Sequence, residues 1–160
     1  MRLFIALLAA TALFAADPTT ASFKDKPAIF TWTLPTGWTV QSTETKIVLF
    51  PTQKTPHIQI WAVGSSDVAD AEKTISSLIV SEVKDFKVGT RSDLKIGETT
   101  ARVLIGTGLE ADDGDPSNAE VTIFPVGKQL YVLVAHGEGE GAKARHDDVK
   151  ALVTSIKPLH

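Results

Sequence analysis

Three sets of residues in this chain have types and spacings that could carry chemistry. The first is Gly137-x-Gly139-x-x-Ala142, which follows an apolar run and opens a helical pattern. Dinucleotide-binding folds use that spacing, because the glycines let backbone N–H groups approach a pyrophosphate. Two features oppose it here. The residues after Ala142 supply one helix but no further strand with a ribose-binding acid, and Glu138 and Glu140 would set carboxylates beside the phosphates. The motif reads as a strand-to-helix linker, and no cofactor is implied.

The second set, Glu110-Ala111-Asp112-Asp113-Gly114-Asp115, invites a calcium loop. Counted from Asp113, position 6 is Asn118 where such a loop needs Gly, and position 12 is Phe124 where it needs Glu. The pattern fails, and no metal site is assigned. The third set is the histidines, and they are scattered. His57 opens a strand, His136 closes one, His146 lies on the last helix and His160 is the last residue. None has zinc spacing, and the chain has no cysteine. His146 and Asp147 are adjacent on a helix and point apart. Ser65, Ser66 and Ser155 lack the Gly-x-Ser-x-Gly elbow. Catalytic residues are therefore none. Trp32, Trp38 and Trp61 read as core and turn packing.

The elements that would position these groups follow from periodicity. Met1-Arg2, the apolar run Leu3 to Phe14 and the small pair Ala15-Ala16 have the layout of a secretory signal peptide over residues 1–15. Its removal leaves 145 of the 160 residues and, with Arg2 lost, takes the formal net charge from −3 to −4. No second apolar run is long enough to cross a bilayer. Clustered Lys and Arg are missing, so nucleic acid is not an expected partner. Without cysteine, neither a lipoprotein anchor nor a disulfide scaffold is possible.

Residues 16–27 read as a flexible lead-in, and 28–160 as a single domain. Period-two patterning predicts strands over 28–34, 45–50 and 57–63, the last with Ile58, Ile60 and Ala62 inward. From Ser66 the period changes. Val68, Ala71, Ile75, Leu78, Ile79, Val83 and Phe86 predict one amphipathic helix of about four or five turns. Extended chain follows over 86–91, then a strand over 100–109. The hairpin Ala119 to His136 comes next, turning at Pro125-Val126-Gly127-Lys128, and a helix over 142–156 closes the chain. Leu130 to Ala135 is apolar on both faces, which marks a central strand covered on both sides. The expected fold is α+β, a mostly antiparallel sheet with helices on its faces. Leu130, Val132, Val134, Ile123, Val103 and Ile105 are expected to be nearly fully buried.

Phe30-Thr31-Trp32-Thr33-Leu34-Pro35-Thr36-Gly37-Trp38 is similar to the opening of PsbP-like and DcrB-like domains, where a strand runs into a Leu-Pro-x-Gly-Trp turn. Ser155-Ile156-Lys157-Pro158 resembles their close, and the element order matches over roughly residues 28–158. The resemblance implies an α/β/α sandwich used for binding rather than catalysis. Such domains serve as extrinsic subunits of photosystem II, as periplasmic proteins, as secretion chaperones and as a Ran-binding nuclear-import factor. The families have no catalytic motif, so no site residue carries over.

Two function classes follow. The first is a non-catalytic exported module that binds or assembles with another exported or envelope protein. The second is a periplasmic protein that binds a small molecule or divalent ion. If 100–109, 119–125 and 129–136 form a meander, the segments 110–118 and 137–141 leave the same sheet edge. Asp112, Asp113, Asp115, Glu138 and Glu140 would then form an acidic pole, with Glu110 and Glu120 beside it.

Overall fold

Leu130 to Ala135, apolar at every position, lies in the fourth of seven strands of the main sheet. A computed structural model describes residues 18–51, 57–137 and 146–159, with His57 described for its backbone alone. The chain begins with β1 (Thr19–Ala21), β2 (Phe30–Trp32), β3 (Thr39–Ser42), β4 (Ile47–Phe50) and β5 (His57–Val63). Helices α1 (Val68–Lys73) and α2 (Ile75–Leu78) follow. Then come β6 (Val83–Ile96), β7 (Thr99–Glu110), β8 (Pro116–Val126) and β9 (Gln129–Gly137). The last elements are α3 (His146–Thr154) and β10 (Lys157–Pro158). The main sheet runs β3-β4-β5-β9-β8-β7-β6, and a smaller one runs β1-β2-β10. All their pairings are antiparallel. The fold is α+β with a sheet-dominated core.

Alternation along β9 divides the interior into two clusters. Tyr131, Leu133 and Ala135 join Ile58, Ile60 and Phe124 with Val149, Leu152 and Val153 of α3. Leu130, Val132 and Val134 join Val121 and Ile123 with Ala71 and Ile75 of α1 and α2 and with Ile79. Each strand residue thus finds apolar cover on its own side, which is why β9 needs no polar face. Gly127, at φ 60°, opens the two-residue turn that pairs Val126 with Gln129. A positive φ is what such a tight hairpin demands and what glycine supplies without strain.

Several expectations are corrected. The single long helix is two short ones, parted at Thr74, whose hydroxyl donates back to Asp70 O and Ala71 O at 3.3 Å each. That back-bonding competes with helix propagation, and the following Ile-Ser-Ser-Leu-Ile-Val-Ser run is rich in weak helix formers. Val83 and Phe86 belong to β6, yet both are buried beside α1 and α2, because a bulge sets Asp85 and Phe86 opposite Gly108. Asp85 has φ 52° there, and its turn throws Phe86 inward.

The lead-in contains β1, which pairs with β2 and buries Ala21. The first expected strand, 28–34, shortens to β2 and leaves the main sheet for the small one, where β10 also pairs with it. Strand β3 leaves little signal in the sequence, because Thr39-Val40-Gln41-Ser42 has little apolar alternation. Ala62 is exposed, lying beyond the cover that buries Ile58 and Ile60. Ile105 is 38% exposed, not buried. It stands opposite Glu120 across the β7–β8 ladder, and Glu120 turns to His146, ahead of the apolar stripe of α3 that starts at Val149. The signal segment 1–15 and the first part of the last expected helix, 142–145, lie outside the described residues. Among the described residues no helix is long and apolar enough to cross a membrane.

Candidate functional site

The antiparallel meander brings the end of β7, the start of β8 and the end of β9 to one edge, with Gly108 opposite Ser117 and Asn118 opposite Gly137. On the α1–α2 side of that edge the structure gathers a polar cluster that no spacing in the sequence announces. Glu82, between α2 and β6, is at its centre and is 9% exposed. Lys46 Nζ lies 2.5 Å from Glu82 Oε1, Ser81 Oγ donates to the same oxygen at 3.0 Å, and the Gln59 amide donates to Oε2. His136, 5% exposed at the end of β9, places Nε2 3.6 Å from Glu82 Oε2 and Nδ1 2.8 Å from Glu110 Oε2. Lys46 also lies over the Trp61 ring, 5.2 Å from its centroid.

Strand alternation explains the convergence. His136 shares the face of Leu130, Val132 and Val134, Gln59 and Trp61 lie on that same side of β5, and Lys46 immediately precedes β4. The chain leaving α2 passes over their polar ends with one carboxylate to offer. Burial alone raises the Glu82 carboxyl, but the nearby His136 imidazole and the hydrogen-bonded Lys46 ammonium outweigh it and hold the group at about 2 against an ordinary 4.5. Burial alone lowers His136, but Glu82 and Glu110 outweigh it and lift the imidazole above its ordinary 6.5.

The signs of these shifts fix a pH profile. The Glu82 contribution is fully present above 4.5 and is lost as pH falls toward about 2. That of His136 is fully present below 6.5 and is lost as pH rises through its raised value. The contribution of this pair to the urea midpoint is therefore expected to be greatest between 4.5 and 6.5 and to fall on both sides. In His136→Gln the alkaline fall should flatten. A profile that is level from 4.5 to alkaline pH in the parent protein would remove the imidazole from the balance.

On the opposite face of the same edge, His146 Nδ1 lies 2.6 Å from Glu120 Oε2 and ties α3 to β8. Burial pushes the Glu120 carboxyl up, and the His146 hydrogen bond draws it part of the way back. Chemically, these groups are engaged with one another. The Ser81 hydroxyl is directed at the Glu82 carboxylate. Among the described residues no three His, Asp or Glu side chains could hold a metal ion.

The expected acidic residues divide. Asp112, Asp113 and Asp115 are exposed in the β7–β8 turn. Asp112 Oδ1 accepts from Asp113 N at 2.9 Å, and Asp113 Oδ1 accepts from Asp115 N at 3.0 Å, so two of these carboxylates also hold their own turn. Glu138 and Glu140 lie outside the described residues. Glu110 and Glu120 sit inside the protein, paired with His136 and His146. Their burial was partly legible, since both lie on apolar strands, but their histidine partners were not.

One open cleft of about 480 Å³ lies between α1–α2 and β6, lined by Ala69, Glu72, Lys73, Ile75, Ser76, Val88 and Arg91. Glu72 is engaged there by Arg91 at 2.6 Å and by Arg102 at 3.0 Å, and Arg102 also pairs with Asp93 at 2.8 Å.

No protein-family model matches the chain, and no curated protein matches it. Its fold is similar to that of several solved structures. A Pseudomonas aeruginosa protein of unknown function, PA94, is 12% identical with a TM-score of 0.56, over 89% of this chain and 98% of that one. LpqN of Mycobacterium tuberculosis, described as involved in cell envelope biogenesis, is 17% identical with a TM-score of 0.53, over 89% and 91%. A protein from Bacteroides thetaiotaomicron is 16% identical with a TM-score of 0.55, over 82% of this chain and 45% of that longer one. At such identities the likeness establishes the fold alone.

Proposed function

We propose that the chain is a non-catalytic exported accessory module with the α/β/α layering of PsbP-like and DcrB-like domains, and that it docks another envelope or exported protein. The observation that carries this reading is the inward use of its buried ionisable groups. Glu82, Glu110, Glu120 and His136 contact one another, Lys46 or His146. A site built to act on a substrate presents such groups to a pocket. The fold shared with LpqN, an envelope-biogenesis protein, supports the compartment. The signal-peptide layout of residues 1–15 supports it as well.

The exposed acids Asp112, Asp113 and Asp115 are the proposed docking residues, with Glu138 and Glu140 from the following link. Exposed carboxylates attract a basic surface weakly and lose that attraction as salt rises. The tagged chain, cross-linked in envelope fractions of its host, is expected to capture one protein. Rebinding of that purified protein should weaken with salt. Replacing the five acids by Asn or Gln should weaken it too, and Asn keeps the oxygen acceptor that the turn uses. Capture of nothing beyond the tag control, with calorimetric heat from calcium or a small metabolite, would instead favour the ligand-binding alternative.

A further inference from the structure

Glu82 fastens two parts of the chain at once. Its N–H donates to Ile79 O at 2.8 Å, its carbonyl accepts from Ala111 N at 3.0 Å, and its side chain reaches Lys46, Gln59 and His136. The α2–β6 junction is thereby bound both to the β7–β8 turn and to the ends of β4, β5 and β9. His136 stands between this carboxyl and that of Glu110, with one ring nitrogen toward each, at 3.6 and 2.8 Å. An imidazolium donates from both nitrogens and can bridge two carboxylates. A neutral ring donates from one nitrogen and turns a lone pair toward the other partner. Both arms are therefore favourable in one protonation state only.

We propose that His136 is a proton-operated clasp, closed across Glu82 and Glu110 when doubly protonated and released on its Glu82 arm when it loses a proton. Release falls on that arm for two reasons. It is the longer contact, and Glu82 keeps Lys46, Ser81 and Gln59 when His136 lets go. Among the described residues, the other charged groups at this end are placed or engaged elsewhere. Lys84 Nζ is committed to Ala111 O at 2.5 Å. Asp112, Asp113 and Asp115 face solvent in the turn, and Glu120 with His146 lies on the opposite face of the sheet. His57 stands opposite His136 in the β5–β9 ladder. Opening loosens residues 82–86, where Asp85 already holds a positive φ, and through the Ala111–Glu82 bond it loosens the acidic turn. The clasp is thus a device by which external pH sets local order at one end of the sheet, whether or not that turn binds a partner.

Hydrogen exchange of the full chain tests it, with each amide rate divided by its intrinsic rate. From about pH 6 to about pH 9, protection at Glu82–Phe86 and Ala111–Gly114 is expected to fall about tenfold, while Val121–Ile123 is unchanged. In Glu110→Gln that local fall should move to lower pH or vanish, because one charged partner of the imidazolium is gone. No fall in the parent overturns the proposal. So does a fall spread uniformly over the sheet, or one that Glu110→Gln leaves where it was. Should that variant not fold, NMR titration of His136 in the unaltered chain decides. Amides of 82–86 titrating together with a His136 value above 6.5 support the clasp, and a value at or below 6.5 ends it.

Discussion

Replacing Gly106 by alanine is expected to destabilise the protein by about 3 kcal/mol or more, the upper part of the range for forcing atoms into packed structure. A Cβ on Gly106 would sit well inside contact distance of Lys87 O and 2.8 Å from Phe86 Cε2. The first obstacle is backbone, which cannot swing aside as a long side chain can. It is held there by the β6 bulge, in which Asp85 and Phe86 stand opposite Gly108 and the next pair is Lys87 with Thr107. Gly108→Ala meets the same obstacle, with Lys84 O 2.6 Å from the added atom. Gly64→Ala is the control, since no atom lies within 4 Å of its added Cβ, and it should change stability by less than about 0.5 kcal/mol. Equilibrium urea unfolding of the three variants separates these cases. A Gly106→Ala protein as stable as the Gly64→Ala protein would mean that the bulge does not press on β7.

Truncating Leu133 to alanine should cost about 2–5 kcal/mol, the usual range for deleting a buried leucine side chain. Leu133 is 0% exposed on the central strand, with β5 on one side and β8 on the other. Neighbouring strands fix the backbone on both flanks, so the cavity has little room to collapse. Ile105→Ala provides the contrast. The sequence groups it with the core, but at 38% exposure its truncation should cost about 1 kcal/mol or less. Comparable losses at the two positions would show that the α3 side of the sheet is covered further than the structure places it.

Much of the scaffold was legible because its signals are local. The apolar run Leu130–Ala135 announces a strand covered on both faces, and it is the fourth of seven. Gly127 announces the turn before it, and Val149, Leu152 and Val153 announce the inward stripe of α3. Helical spacing in the middle of the chain was misleading for a physical reason. A strand with a bulge can bury Val83 and Phe86 three residues apart, as a helix can, so that interval alone cannot tell the two apart. The exposed aspartates of the β7–β8 turn were visible as a run of acids around a glycine at φ 81°. What the chain's order could not reveal is which charges meet. Glu82, Glu110 and His136 are spread over 55 residues of sequence, and each alone looks like an ordinary polar residue beside an apolar segment. They converge because pairing of β9 with β8 and β8 with β7 stacks three strand ends. The α2–β6 junction then lays its one carboxylate across them. Local periodicity is written in neighbouring residues and survives reading one segment at a time. The electrostatic site depends on strand order and register, and those are decided only when the whole sheet closes.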